Sequence, residues 1–266
     1  MFTKNDYKDI TSILREISDE ASKKILEIYN SDFKINYKND NSPLTEADTE
    51  SNKIICSQLS KEFSKIPIIS EENKRKNLNS ETYFLVDPLD GTKEFIAKNG
   101  EFTVNIALII NNIPKLSVIQ IPVKATQYFS DGNFSYKYKK KLNKIYSFSN
   151  NEKTRIAISR SHLDSVTKNF IKNSKKYSII KAGSSLKFCL ISEGKADIYI
   201  RNGKTMAWDI AAGIAILKTA GGEILKLNLE KIKFNKNTFI NDSFVCYRNK
   251  LDSQILKLIL RNFSQH

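Results

Sequence analysis

Apolar residues recur at three- and four-residue spacing near the start of the chain, at Ile10, Ile13, Leu14, Ile17, Ala21, Ile25 and Ile28. That period marks one face of a helix. The polar stretch Asn39-Asp40-Asn41-Ser42-Pro43 breaks it. A second helix is expected over 48–63, with Ile54, Ile55, Leu59 and Phe63 inward. The pattern then changes to short apolar runs bounded by charged or turn residues, at 66–69, 83–86, 102–110, 116–121 and 127–129. These read as strands. Asp131-Gly132-Asn133 is a turn signal, and the basic stretch 137–144 reads as a hairpin.

Polar composition at Asn150-Asn151 suggests a boundary, giving one part over 1–150 and another over 151–266. Beyond it, strands are expected at 155–159, 177–181, 197–201 and 244–247. Helices are expected at 162–173, 184–193, 211–219 and 252–263, with Gly221-Gly222 ending the third. The expectation is an α+β fold of layered helices and sheets in two packed subdomains. The early part should be mostly antiparallel and the later part alternating.

Composition changes this picture little. A chain of 266 residues with 40% hydrophobic and 27% charged positions is globular rather than fibrous. No apolar run approaches the roughly 18–20 residues that span a bilayer. The first residues lack the layout of a signal peptide. Three scattered cysteines, Cys56, Cys189 and Cys246, form neither a disulfide framework nor a zinc cluster, which suits a reducing cytoplasm.

Net charge is more suggestive: 43 Lys and Arg against 29 Asp and Glu give +14. Such an excess invites a nucleic-acid reading. Yet 36 of the basic residues are Lys and only 7 are Arg, and they spread along the chain beside 26 Asn. Base and phosphate readout favours Arg. The excess reads as a solvated surface, with a role at most in attracting an anionic ligand. Lys137-Tyr138-Lys139-Lys140-Lys141 could also hold the protein weakly to an anionic membrane face.

The outnumbered acids carry the chemistry. Asp87-Pro88-Leu89-Asp90-Gly91-Thr92 puts two carboxylates three apart at the end of an apolar strand. Pro88 fixes φ and Gly91 permits a tight turn. Both carboxylates and the Leu89 carbonyl can then point to one side, a hard-oxygen set suited to Mg²⁺. The Gly91 and Thr92 amides beyond the turn could seat an anion. Glu71-Glu72 ends another apolar strand, Thr45-Glu46-Ala47-Asp48 opens a helix, and Asp209 lies between Trp208 and Ile210-Ala211-Ala212-Gly213. Taken singly, Asp48 and Asp209 read equally well as helix caps.

In combination and in this order, these four motifs resemble the inositol monophosphatase-like superfamily of Mg²⁺-dependent, lithium-sensitive phosphatases. The continuation Asp90-Gly91-Thr92-Lys93-Glu94-Phe95 is similar to its CysQ-type 3′(2′),5′-bisphosphate nucleotidase branch. So are Ser159-Arg160-Ser161-His162 and Gly183-Ser184-Ser185-Leu186-Lys187-Phe188-Cys189; Ile200 departs from the Pro usual there. The resemblance implies a sugar-phosphatase-like α/β/α/β/α sandwich in which Glu71, Asp87, Leu89, Asp90 and Asp209 hold two or three Mg²⁺ ions. It further implies catalytic roles for Asp48, Thr92 and Glu71. Substrate contacts would come from Glu71, Leu89, Asp90, Gly91, Thr92, Ser159, His162, Gly183, Lys187 and Asp209.

The implied reaction is hydrolysis of the 3′-phosphate of 3′-phosphoadenosine 5′-phosphate, giving AMP and phosphate, in sulfate assimilation. Family members occur as monomers and homodimers. Two other readings remain: an inositol or sugar phosphate phosphatase on the same metal site, and a noncatalytic basic protein that binds RNA or a membrane surface.

Overall fold

The computed structural model describes residues 3–38, 42–73, 78–150, 152–161, 163–173, 177–234 and 238–263. Helix α1 (Lys4–Tyr29) opens with a capping box in which Thr3 and Asp6 exchange side-chain-to-amide hydrogen bonds. Strands β1 (Ile35–Tyr37) and β2 (Pro43–Thr45) pair antiparallel and lead into α2 (Glu46–Glu62). Strand β3 (Ile68–Ser70) lies parallel to β4 (Tyr83–Asp90), and the short α3 (Thr92–Ile96) follows β4. Then β5 (Thr103–Ile110), β6 (Ile113–Ile121), β7 (Thr126–Asp131), β8 (Ser135–Tyr138) and β9 (Leu142–Ile145) add in sequence order, all antiparallel. The basic stretch 137–144 is the β8–β9 hairpin, as its pattern suggests.

The later elements are β10 (Arg155–Ser159), α4 (Ser165–Asn173), β11 (Ser178–Ala182), α5 (Leu186–Ser192), β12 (Ile198–Arg201) and β13 (Thr205–Met206). After them come α6 (Ala207–Thr219), β14 (Glu223–Lys226), β15 (Ile240–Asn241), β16 (Phe244–Tyr247) and α7 (Ser253–Phe263). The second sheet has order β11-β10-β12-β16-β14. Its first three strands are parallel; β16 runs antiparallel to both neighbours.

Strand alternation divides the core into layers. On β4, Phe84 and Val86 pack with Leu14, Ile17 and Ile25 of α1, while Tyr83 and Leu85 face Trp208, Ala211 and Ile216 of α6. The other side of α6 and α5, with Ile210, Leu217 and Phe188, meets Ala157, Tyr199 and Phe244 of the second sheet. Ile156, Ile158 and Val245 on its far face meet Phe170 of α4 and Leu260 of α7. The result is the expected α/β/α/β/α sandwich. Helix α6 is buried nearly all round because a sheet lies on each side of it. It approaches α5 so closely that a Cβ on Gly213 would lie 2.3 Å from the Phe188 ring.

Several boundaries differ from the hydrophobic pattern. Helix α6 begins at Ala207 rather than 211, because the Asp209 carboxylate accepts the Met206 amide at 2.9 Å and closes the first turn. Helix α4 begins at Ser165, where Asp164 accepts the Thr167 amide at 2.9 Å. Strands β1, β2, β13 and β15, of two or three residues each, carry too few residues to show a period.

Candidate active site

The site lies where β3, β4, α2 and α6 end or begin together. In a regular strand, positions three apart point to opposite faces. Strand β4 avoids this: Asp87 pairs with Asn105 and Asp90 with Thr103, so three steps on β4 match two on β5. That extra residue is a bulge, which re-aims the side chains beyond it. Asp90 can therefore serve the same side as Asp87. Ser51 of α2 donates to the Pro88 carbonyl at 2.7 Å, and the Leu89 amide donates to Asp87 at 3.1 Å, which fixes the bulge. Gly91 follows at φ +93°, a conformation that favours glycine.

Three carboxylates converge. Oxygens of Glu71, Asp87 and Asp209 lie within 4.8 Å of one another. Glu71 is held at the end of β3 by its amide, which donates to the Val86 carbonyl at 3.1 Å. Asp90 lines the same cleft but is gripped from two sides: the Ser185 amide, from the later half of the chain, donates to it at 2.6 Å and Asn105 Nδ2, from β5, at 3.3 Å. Burial, and after it repulsion from Glu71, Asp90 and Asp209, holds the Asp87 carboxyl well above the usual carboxylate range. Asp209 is raised well above it by burial and then by Asp90 and Glu71. Burial pushes Asp90 up to about 6, against the pull of Lys187 and the Ser185 amide.

Such a set is costly unless a cation joins it. Lys38 bonds Glu71 at 2.7 Å and Glu72 at 2.5 Å, which leaves Asp87 and Asp209 without a bonded cation among the described residues. Clustered hard oxygens with neither His nor Cys fit a hard divalent ion.

Beside them, Thr92 Oγ1 donates to Asp48 Oδ1 at 3.1 Å and approaches the Leu89 carbonyl at 3.4 Å. The other Asp48 oxygen accepts the Thr45 amide at 2.7 Å and hydroxyl at 2.6 Å. Asp48 is thus both the α2 capping acid and the partner of Thr92. Burial raises its carboxyl.

The cleft above these groups has a volume of about 380 Å³. Of the residues expected to touch substrate, Glu71, Asp90, Gly91, Thr92, Ser159, Gly183, Lys187 and Asp209 line it. Asp87 and the Leu89 side chain are buried beneath. His162 lies outside the described residues. Lys187 is not one more solvated lysine: it is 4% exposed, donates to the Ala182 carbonyl at 3.2 Å and to the Ser184 carbonyl, and has its charge weakened by burial to a pKa of about 8. Arg201 also lines the cleft, and its Nε is buried with no hydrogen-bond partner among the described residues. Both cations stand where an anion would satisfy them.

The hydrophobic and motif patterns missed Lys38, Asn105 and Arg201. One lysine among 36 carries no signal, and Asn105 sits within an apolar strand.

Compared with known proteins, the sequence pattern described as "Inositol monophosphatase family" matches residues 6–266. The chain belongs to this family. It is 43% identical over 262 residues to a 3′(2′),5′-bisphosphate nucleotidase CysQ of Buchnera aphidicola, covering 90% of this chain and 97% of that one. Against the CysQ nucleotidase of Escherichia coli strain K12 it is 37% identical, over 78% and 86% of the two chains. The crystal structure of CysQ from Bacteroides thetaiotaomicron superposes with a TM-score of 0.80 at 37% identity, covering 91% and 98%. An inositol monophosphatase of Thermotoga maritima superposes with a TM-score of 0.81 at 22% identity, covering 96% and 97%, a likeness of fold.

Proposed function

We propose that the chain is a Mg²⁺-dependent 3′(2′),5′-bisphosphate nucleotidase that hydrolyses 3′-phosphoadenosine 5′-phosphate to AMP and phosphate in sulfate assimilation. One observation carries this reading. A carboxylate cluster, with Asp87 buried and Glu71 and Asp209 half-buried, stands at a cleft that also presents Lys187 and Arg201, so a substrate with two phosphates is offered seats for both. Similarity to CysQ nucleotidases over 78–90% of the chain supports the same choice over an inositol or sugar phosphatase.

Glu71, Asp87, Asp90, Asp209 and the Leu89 carbonyl would hold two or three Mg²⁺ ions. When bound, these supply the Lewis-acid charge that polarises the phosphate and acidifies an attacking water. The chain's own residues do the rest. Thr92, its hydroxyl directed to Asp48, orients the water, and Asp48 takes the proton that Thr92 relays. Glu71 assists from the other side. The Gly91 and Thr92 amides, at the start of α3 and without intrahelical acceptors, donate to the phosphate. Ser159, Gly183, His162 and Lys187 position the nucleotide, with Lys187 and Arg201 on the phosphate that is not cut. The early part, 1–150, supplies most of the cation ligands; the later part, 151–266, supplies Asp209 and the nucleotide contacts.

Lithium inhibition and a cytoplasmic location, as a monomer or homodimer, belong to this reading. Three free cysteines, two of them buried, suit a reducing compartment. Among the described residues no helix is long and apolar enough to cross a membrane. Weak peripheral attachment through Lys137–Lys141 would be an addition to this function and is not needed for it.

Chromatography of the reaction products tests the proposal. AMP and phosphate should form in equal amounts from the bisphosphate with Mg²⁺, and chelator should stop both. Formation of AMP unaffected by chelator would overturn it.

A further inference from the structure

A second cleft, of about 360 Å³, opens between the two halves of the chain. Its floor is apolar and aromatic: Ile121 and Tyr128 from the first sheet, and Leu186 and Cys189 from α5, all buried. Its rim carries Lys124, Lys137, Lys139, Lys181 and Lys195 against two acids, Glu101 and Glu193. Both acids are already engaged. Glu193 accepts Lys137 at 2.7 Å, Lys195 at 3.1 Å and the Tyr128 hydroxyl at 2.8 Å. Glu101 is taken by Arg160 at 2.7 Å and by the Gly183 amide at 2.7 Å. That leaves the Lys124, Lys139 and Lys181 side chains around one opening, with no ion pair among the described residues.

Unpaired like charges around a concave apolar floor repel one another, and an anion with an apolar body relieves the repulsion while covering the floor. A bare anion would leave the floor wet, and an uncharged ring would leave the lysines opposed. We propose that this cleft is a second, noncatalytic binding site for a mononucleotide, its base against Tyr128, Ile121 and Leu186 and its phosphate among Lys124, Lys139 and Lys181. The site stands independently of the catalytic reading, because none of these residues belongs to the carboxylate cluster.

Calorimetric titration of the full chain with AMP, in chelator so that the catalytic cleft lacks its cations, tests the site. AMP should bind saturably, and that binding should persist in Lys187→Met, which lacks a phosphate seat of the catalytic cleft. The exposed pair Lys139→Glu with Lys181→Glu should weaken it about tenfold or more, with an unaltered circular dichroism spectrum. Adenosine, lacking the phosphate, should bind at least about tenfold more weakly than AMP. No saturable AMP binding at millimolar concentration overturns the proposal. So does binding lost in Lys187→Met, binding indifferent to the lysine reversals, or adenosine binding as tightly as AMP.

Discussion

The Thr92 hydroxyl donates to Asp48 at 3.1 Å across 44 positions of sequence. The pair joins the first turn of α2 to the first residue of α3. Asp48→Asn keeps an oxygen for the Thr45 cap but removes the proton acceptor. It should lower kcat by about 10²–10⁴ with little change in melting temperature. Thr92→Val should cost a similar factor, and the double variant little more than either, since the two act as one unit. Steady-state kinetics of the three variants checks this; additive losses would refute the relay.

The cations should also stabilise the fold. Asp87 and Asp209 have folded-state pKa values raised above their unfolded ones, so their stability contribution is present at low pH and lost as pH rises through the folded values. In chelator at pH 7, Asp87→Asn should melt at a higher temperature than the unaltered protein, while being inactive with Mg²⁺. Mg²⁺ should raise the melting temperature of the unaltered protein much more than that of the variant. Differential scanning calorimetry reads both.

Lys187 gives a pH signature. Its pKa of about 8, lowered by burial against the opposing pull of Asp90, means that its cation is lost within an accessible range. KM for the bisphosphate should rise as pH climbs past 8, with kcat less affected. In Lys187→Met, KM should be high throughout and that pH step should vanish. A KM profile of unchanged shape in the variant would remove Lys187 from the phosphate seat.

Gly183 is needed for space. A Cβ there would lie 2.7 Å from both the Glu101 carbonyl oxygen and Glu94 Cγ, and its amide anchors the Glu101 carboxylate. Gly183→Ala should destabilise the protein by about 1–3 kcal/mol in denaturant unfolding and raise KM by displacing the segment that carries Ser185 to Asp90. A fully stable variant would contradict this packing.

Much of the site could be read from sequence because its carboxylates are local punctuation. Asp87 and Asp90 bracket a Pro-Leu step at a strand end, and Asp48 and Asp209 stand at helix starts. The supports were not legible. The bulge that aligns Asp87 with Asp90 depends on pairing with β5, and the Ser185 amide reaches Asp90 across 95 positions. Arg201 looks like any strand-end cation until its buried Nε is seen. The layer order had one further sign: residues 207–219 are apolar nearly all round, with Asp209 and Lys218 only at the two ends, as suits a helix between two sheets.

In the proposed reaction a carboxylate cation site and a second phosphate seat act together on one nucleotide. The most direct test is kcat/KM for 3′-phosphoadenosine 5′-phosphate against inositol 1-phosphate, measured by phosphate release with Mg²⁺. A preference of about 10²-fold or more for the bisphosphate is expected, the order that follows when a buried charged seat is left unfilled. Equal rates, or a preference for inositol 1-phosphate, would contradict it.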